Sequence, residues 1–267
     1  MKNWKLGTSS ALFLPDTIQG KLRECSSLGF KCVEIVVKTS GDKLREYVED
    51  IVREAKEENI SVWSIHLPFG NEYDISEVDD EKRVNILKDL FGLIDIAAPL
   101  NPSVAVIHGS YEPIKAENRE AKILASIESL KFLVEKSSEY GIRIALECLP
   151  RTCIGNCSSE MLRILGKVPG LCVCFDTNHL TIENPIEFVK KVGNHIISIH
   201  VSDYDGVDER HWLPGRGCID WQDILSSLEA IGYDGPLMFE VKSKYDNVIL
   251  TPKMLFENWH TLTEDLT

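Results

Sequence analysis

The sequence lacks the patterns that would mark a secreted, membrane-bound or generally nucleic-acid-binding chain. Among its 267 residues, no apolar stretch reaches the ~20 needed for a membrane-spanning helix. The segment after Met1 has no apolar run of the kind that forms a secretory signal. Basic residues are the minority, with 29 Lys and Arg against 42 Asp and Glu and a net charge of −13. We therefore expect a cytoplasmic protein that does not enter the membrane and does not bind nucleic acid generally, although a local basic patch would still permit such binding.

Several cofactor and catalytic motifs are also absent. None of the eight cysteines forms a CxxC pair, which disfavours a thiolate zinc site or a thioredoxin-like redox motif. No GxGxxG follows the first predicted strand, where Gly7-Thr8-Ser9-Ser10 stands instead. No GxSxG occurs, so serine hydrolase chemistry is poorly supported. The cysteines are expected to be reduced thiols that pack as small apolar residues.

The pattern that is present is a regular alternation of short β-rich runs and longer amphipathic segments. The alternation predicts βαβ units and a parallel sheet. Eight such units favour a single (β/α)8 TIM barrel, of class α/β, forming one domain over residues 1–267. A doubly wound sheet is the alternative, and the missing GxGxxG counts against it. The predicted strands are 2–9, 31–37, 60–67, 103–109, 142–149, 171–176, 196–202 and 236–242, and helical patterns include 42–58, 79–97, 116–140 and 219–230.

Ionisable residues recur at the carboxyl ends of six consecutive predicted strands. Barrel enzymes place their chemistry at these ends. Because side chains alternate along a strand, one terminal residue per strand is able to point at the barrel axis. We therefore expect three imidazoles and three carboxylates to converge there. In strand order they are His66, His108, Glu147, Asp176, His200 and Glu240.

Carboxylates at such a density repel one another, and their burial costs several kcal/mol when no cation compensates. A divalent cation removes that cost. Glu147, Asp176, His200 and Glu240 together offer three carboxylates and one imidazole. This donor set suits Mn, Mg, Co, Fe or Zn. The sequence thus predicts a metal site at the mouth of the barrel.

An acidic loop follows the seventh predicted strand, and its glycines and prolines indicate a defined shape. It runs from Asp203 through His211 to Pro214-Gly215-Arg216-Gly217. Taken alone, the acidic run is typical of a solvated loop. Together with His179 it has the residues to host a second metal or to hold a polar substrate. Asp220, at its end, is expected to cap the next helix.

The order and spacing of these motifs resemble a known family, the xylose isomerase-like TIM-barrel superfamily of sugar phosphate isomerases and epimerases. The superfamily also contains the apurinic-site endonucleases of family 2. Each motif is weak alone, and the set is specific because it runs in order from strand three to strand eight. The motifs are Ser64-Ile65-His66-Leu67-Pro68, Ile107-His108-Gly109, Ala145-Leu146-Glu147, Phe175-Asp176-Thr177-Asn178-His179, Ile199-His200-Val201-Ser202-Asp203, His211 through Trp221, and Phe239-Glu240-Val241.

The resemblance implies a metal-dependent isomerase or epimerase of a sugar, sugar phosphate or cyclic polyol. In such members, residues matching Glu147, Asp176, His200 and Glu240 hold one divalent metal (Mn, Zn, Mg or Co). The residues matching the two glutamates also exchange the substrate proton, so they are the predicted catalytic pair. The expected partner is a small carbohydrate, and a homo-oligomer is compatible with the sequence. Substrate binding is assigned to His66, His108, His179, His211 and Arg216.

The endonuclease members imply a competing function, phosphodiester hydrolysis at a DNA lesion by a multi-zinc cluster. Their ligands match those six strand-end residues together with His179 and His211. An Asp two residues before the last His is replaced here by Glu209, beside Asp208. A sugar-binding barrel without turnover is a third interpretation. The charges near the strand ends are mixed, and they favour the isomerase class because a DNA enzyme needs a basic rim. They are Lys38, Lys115, Arg151, Arg210, Arg216, Lys242 and Lys244, interleaved with Glu112, Asp203, Asp205, Asp208, Glu209 and Asp246.

Overall fold

Eight parallel strands close into a barrel, with β1 paired to both β2 and β8. The computed structural model describes residues 4–13, 17–38, 41–245 and 247–264. The predicted (β/α)8 architecture is confirmed, and the doubly wound alternative is wrong because the sheet has no open edge. The barrel strands are β1 (Leu6–Ser9), β2 (Cys32–Val36), β3 (Ser61–His66), β4 (Val104–Ile107), β5 (Arg143–Glu147), β6 (Cys172–Asp176), β7 (Ile196–Val201) and β8 (Leu237–Phe239).

Helices lie between the strands and after the last one. A short antiparallel hairpin of β9 (Lys244–Tyr245) and β10 (Val248–Ile249) follows β8. The four helical patterns named from the sequence are confirmed within a few residues, as α2, α3, α4 and α7. The helices are α1 (Leu22–Ser27), α2 (Gly41–Glu57), α3 (Asp80–Ala97), α4 (Ala116–Ser138), α5 (Ser158–Leu165), α6 (Pro185–Val192), α7 (Trp221–Ala230) and α8 (Pro252–Glu264).

Parts of the predictions fall on residues outside the described ranges. These are positions 2 and 3 of the first predicted strand, Asp246 of the predicted rim, and both ends of the predicted domain 1–267. Within the described part, β1 begins at Leu6 and β8 ends at Phe239, so both strands are shorter than predicted. No helix among the described residues is long and apolar enough to cross a membrane.

Side-chain alternation along each strand separates two apolar layers. On β5, Ile144 and Leu146 belong to the large core between barrel and helices, while Ala145 belongs to a small cluster with Val106 and Cys174. Glu147 is next in the series, so the period of two turns it toward the same side as Ala145. The alternation therefore aims the last residue of the strand at the barrel axis.

The helix start predicted at Asp220 is confirmed. The Asp220 carboxylate accepts a hydrogen bond from Asp223 N at 3.1 Å and caps the first turn of α7. Asp79 caps α3 in the same way through Lys82 N at 3.1 Å. A side-chain cap supplies an acceptor to a backbone N–H that has no partner inside the helix. These caps fix the residues at which the loops after β3 and β7 end and helices α3 and α7 begin.

Candidate metal centre and active-site cavity

The four residues predicted to hold a metal converge around one ring nitrogen of His200. Nδ1 of His200 lies 3.0 Å from Glu147 Oε1, 3.0 Å from Glu240 Oε2 and 3.7 Å from Asp176 Oδ2. One ligand atom from each of the four residues lies within 4.8 Å of the other three. Glu147 and Asp176 end β5 and β6, His200 is on β7, and Glu240 directly follows β8. The carboxyl ends of four consecutive strands thus build one donor set.

The donor set has the chemistry that a divalent cation requires. Asp176 Oδ2 is buried and has no hydrogen-bond partner among the described residues. Burial raises the pKa of Asp176 to about 8, and the charges of Glu147 and Glu240 act in the same direction. One imidazole N–H is unable to satisfy three carboxylates at once. A cation would supply the missing partner, and these oxygen and nitrogen donors fit Mn, Mg, Co or Zn.

A further buried carboxylate, Glu34 on β2, lies behind His200. Nε2 of His200 is 3.0 Å from Glu34 Oε2, which also accepts a hydrogen bond from Ser64 Oγ at 2.8 Å. Glu34, Ser64 and His200 are all 0% exposed. Glu34 was not among the predicted site residues, although a charged residue inside the apolar run Cys32–Val36 was a signal for it. With Nε2 held by Glu34, Nδ1 of His200 is the ring nitrogen that faces the donor set.

Two other histidines contact the second oxygen of Glu147. Nε2 of His66 lies 3.2 Å from Glu147 Oε2, and Nε2 of His108 lies 3.0 Å from the same atom. Burial, the largest influence, lowers the pKa of His66, but the hydrogen bond and charge of Glu147 outweigh it and raise the pKa to about 9. Phe69 stacks on His108, with ring centroids 4.2 Å apart. His66, His108 and Glu147 form a second group with ligand spacing.

The acidic loop brings Glu209 and His211 to His179. Nε2 of His179 lies 3.2 Å from Glu209 Oε2, and its Nδ1 lies 3.5 Å from Asp176 Oδ2. These three residues, His179, Glu209 and His211, form a third group with ligand spacing. The hydrogen bond and charge of His179 are the main reasons that the pKa of Glu209 falls to about 2. The predicted association of this loop with His179 is therefore present in the structure.

Asn178 holds the loop where its functional side chains lie. Its buried Oδ1 accepts hydrogen bonds from Arg210 N at 2.7 Å and from His211 N at 3.0 Å. His211 itself has a φ of 54°, a conformation that L-residues seldom adopt without such support. The sequence analysis assigned no role to Asn178. Its position between Asp176 and His179 was the available signal.

The base of the same loop is organised by the buried Asp203. Its carboxylate accepts hydrogen bonds from Gly215 N at 2.8 Å, Ile219 N at 3.2 Å and Trp221 Nε1 at 3.1 Å. Gly217 passes so close that a Cβ atom there would lie 2.0 Å from the carbonyl oxygen of Tyr204. The glycine is required by this close approach. The loop is consequently a packed structure, which corrects its interpretation as a merely solvated acidic run.

A cavity of about 260 Å³ opens above the donor set. Glu147 and Glu240 are among the described residues of its wall, whereas Asp176 and His200 are not. The predicted substrate-binding histidines 66, 108, 179 and 211 all line it. Arg216 is not among the described residues that line the cavity, because its guanidinium lies over the Tyr245 ring, 5.7 Å from the centroid. The wall comprises His66, Phe69, His108, Ser110, Tyr111, Glu112, Glu147, Leu149, Pro150, Arg151, Cys153, His179, Glu209, His211 and Glu240.

The comparisons with known proteins agree with this architecture. A crystal structure of a D-tagatose 3-epimerase-like protein matches with a TM-score of 0.82 and 26% identity, covering 98% of this chain and 100% of that chain. The uncharacterized protein MJ1311 of Methanocaldococcus jannaschii is 32% identical over 258 residues, or 91% of this chain and 86% of the relative. The ketose 3-epimerase of Arthrobacter globiformis is 25% identical over 182 residues, or 64% of this chain and 60% of that enzyme. The family model described as the xylose isomerase-like TIM barrel matches residues 22–260, and the chain belongs to this family.

Proposed function

We propose that this protein is a divalent-metal-dependent epimerase or isomerase of a small sugar, with Glu147 and Glu240 as the catalytic pair. The observation that carries the proposal is that both glutamates share the donor set around His200 and also line the cavity. A general acid or base must lie within hydrogen-bond reach of the substrate proton that it moves, so it has to face the cavity that receives the substrate. The similarity to the ketose 3-epimerase of Arthrobacter globiformis and to a D-tagatose 3-epimerase-like protein supports the same reaction class.

The proposed roles follow from where each side chain lies. Glu147, Asp176, His200 and Glu240 would hold the metal, which when bound polarises the substrate carbonyl and acidifies the neighbouring C–H. One glutamate removes the proton from that carbon and the other returns a proton to the opposite face. Burial lowers the pKa of His200, but the charges of Cys174 and of the surrounding carboxylates outweigh it and raise the pKa well above its ordinary value. Despite their burial, the attraction of His200 in turn lowers the pKa of Glu147 and of Glu240, which favours ionised glutamates. An ionised carboxylate is the form able to accept the proton.

The four histidines in the wall are proposed to bind the hydroxyl groups of the sugar. His66 and His108 lie on one side of Glu147, and His179 and His211 lie on the other. A neutral imidazole both donates and accepts hydrogen bonds, which matches the two-way hydrogen bonding of a hydroxyl. Burial lowers the pKa of His108 and of His211, which favours this neutral form. Nearby carboxylates raise the pKa of His66 and of His179 despite their burial, so these two would act as hydrogen-bond donors.

A multi-zinc phosphodiesterase acting on damaged DNA is the second candidate. The observation in its favour is that His66, His108 and Glu147, and also His179, Glu209 and His211, have ligand spacing. The net charge of −13 and the acidic side chains of the cavity wall oppose binding of a DNA backbone. The sugar reaction is therefore the function that the geometry supports best.

Metal content and a substrate panel distinguish the two functions. Protein is purified without chelator and its metals are counted by mass spectrometry. It is then assayed with ketoses, cyclic polyol ketones and a duplex that contains one abasic site. The proposal predicts one tightly held divalent metal and epimerisation or isomerisation of at least one sugar. Several zinc ions per chain with cleavage of the abasic duplex, and no change in any sugar, would replace it with the endonuclease.

A further inference from the structure

The cavity wall has an unusual charge balance for a site that would receive a sugar phosphate. Among the described residues, its acidic side chains are four glutamates, and its basic side chains are one arginine, Arg151, and four histidines. His66 and His179 already face Glu147 and Glu209 at 3.2 Å. Two of the glutamates belong to the proposed metal site, and the other two, Glu112 and Glu209, lie farther toward the mouth beside Arg151. Among the described residues of this wall, Arg151 is therefore the only permanently charged cation.

The guanidinium of Arg151 is already paired with carboxylates from two other loops. Its Nε donates to Glu112 Oε1 at 2.8 Å, and its Nη1 donates to Asp208 Oδ1 at 2.5 Å. Its Nη2 donates to Glu209 Oε1 at 3.1 Å and also to Glu112. Every nitrogen of the guanidinium thus has a carboxylate partner. The one cation is surrounded by three anions, so the cluster as a whole is acidic.

The other cations that the sequence places near the strand ends do not change this balance. Arg210 donates through Nε to Asp205 Oδ2 at 2.7 Å, and Arg216 lies over the Tyr245 ring. The described lysines of the predicted rim are exposed and outside the cavity wall: Lys38, Lys115, Lys242 and Lys244. A phosphate dianion in the cavity would consequently meet Glu112 and Glu209, whose basic neighbours Arg151 and His179 are already paired with carboxylates. Like charges brought together across an interface repel one another and weaken binding.

The same wall suits a neutral sugar. Carboxylates that face a cavity accept hydrogen bonds from hydroxyl groups, which are donors that a phosphate dianion lacks. Phe69 is 57% exposed and Tyr111 is 46% exposed, so both offer ring surface to the C–H groups of a sugar. The volume of about 260 Å³ is below the ~300–1,000 Å³ range of ordinary ligand pockets. It favours one monosaccharide over an oligosaccharide.

We propose that the substrate is an unphosphorylated monosaccharide and that the acidic cluster around Arg151 excludes phosphate esters. The proposal rests on the sugar chemistry proposed above and decides between the free sugars and the sugar phosphates. Glu112, Asp208 and Glu209 act as specificity residues because they hold the guanidinium of Arg151 and place negative charge where a terminal phosphate would lie. Discrimination by repulsion against the unwanted ligand is a general route to specificity.

Matched pairs of sugars test this directly with the metal-loaded protein. L-ribulose is compared with L-ribulose 5-phosphate, and D-fructose with D-fructose 6-phosphate, by calorimetric binding and by kcat/KM. We expect the free sugar of at least one pair to bind, and to bind at least ~10-fold more tightly than its phosphate ester. Tighter binding of a phosphate ester, or no binding of either free sugar, overturns the proposal. A binding preference for the free sugar without any turnover would refute the proposed reaction and leave the charge preference standing.

A charge variant and its matched control make the test specific to the cluster. Glu112→Gln removes one of the negative charges that face the cavity, so the preference for the free sugar should shrink by ~3- to 10-fold. Glu120→Gln removes the same charge from an exposed ion pair with Arg163 on the outer helices and should leave the preference unchanged. Thermal melting of both variants confirms that they fold. An unchanged preference in Glu112→Gln, or an equal change in both variants, contradicts the assigned role of the cluster.

Discussion

Nε2 of His200 lies 3.0 Å from Oε2 of Glu34, and both residues are completely buried. A metal-ligating histidine commonly makes such a contact through its second nitrogen, which fixes the orientation of the ring and the position of the ring proton. Glu34 stands on β2, far in sequence from the four residues of the donor set. The orientation of His200 therefore depends on a strand that supplies no ligand itself.

Replacing Glu34 should weaken metal binding without removing a ligand. Glu34→Ala leaves the imidazole without its partner, and we expect the dissociation constant of Mn²⁺ to rise ~10- to 100-fold. Glu34→Gln keeps an oxygen acceptor at the same place and should bind Mn²⁺ more tightly than the alanine variant. Competition with a fluorescent chelator measures both constants. Unchanged Mn²⁺ affinity in Glu34→Ala would remove the positioning role.

The buried Asp176 should make the free energy of unfolding of the metal-free protein depend on pH. Burial raises its pKa to about 8 from an ordinary value of 3.8. Between these pH values the folded protein holds a proton that the unfolded chain has lost, so the free energy of unfolding falls as pH rises. In Asp176→Asn this decline should be shallower. Urea unfolding in the presence of a chelator, from about pH 5 to pH 8, measures it.

The control for this experiment is the exposed Asp89 on α3. Asp89→Asn should keep the decline of the parent protein, because a solvated carboxylate gains little from being replaced. Saturation with Mn²⁺ should reverse the slope in the parent, since protons compete with the metal for the same carboxylates. If the free energy of unfolding had the same pH dependence in metal-free Asp176→Asn and in the metal-free parent, burial of Asp176 would not be its cause.

Substitution of Gly217 tests how tightly the loop that carries Glu209 and His211 is packed. A Cβ atom at Gly217 would lie 2.0 Å from Tyr204 O and 2.3 Å from Asp203 Oδ1, so Gly217→Ala must displace backbone. We expect a loss of ~1–3 kcal/mol in the free energy of unfolding together with a reduced kcat/KM. Gly92→Ala on α3 meets no atom within 4 Å and should stabilise by up to ~1 kcal/mol. Equal effects from the two substitutions would show that Gly217 is not constrained.

The barrel and the convergence of the six strand-end residues could be predicted because both depend on local periodicity. Strand–helix alternation sets the topology, and the period of two along a strand decides that Glu147 and Asp176 face the axis. The family resemblance is confirmed by the match over residues 22–260. The metal and substrate roles of the individual residues stay predictions.

The features that escaped prediction depend on contacts between distant loops and strands. Glu34 meets His200 only after β2 and β7 are placed on opposite sides of the barrel. Arg151 was treated as one cation of a mixed rim, because its pairing with Glu112 and Glu209 joins three separate loops. Arg216 was predicted to bind substrate, and its position over the Tyr245 ring, outside the described cavity wall, could not be foreseen from the sequence. Loop geometry of this kind has no periodicity from which it could be read.

Proton exchange at the substrate carbon tests the central claim most directly. A sugar that the protein converts is incubated in heavy water with the parent, Glu147→Gln and Glu240→Gln, each with its metal content measured, and deuterium at the carbon beside the carbonyl is followed by NMR. Losing a positioned acid or base costs ~10²–10⁴ in rate. The account predicts that the parent incorporates deuterium and that both variants, folded and with metal still bound, lose epimerisation and deuterium incorporation by that factor. Native rates of incorporation in the two metal-loaded variants would contradict it.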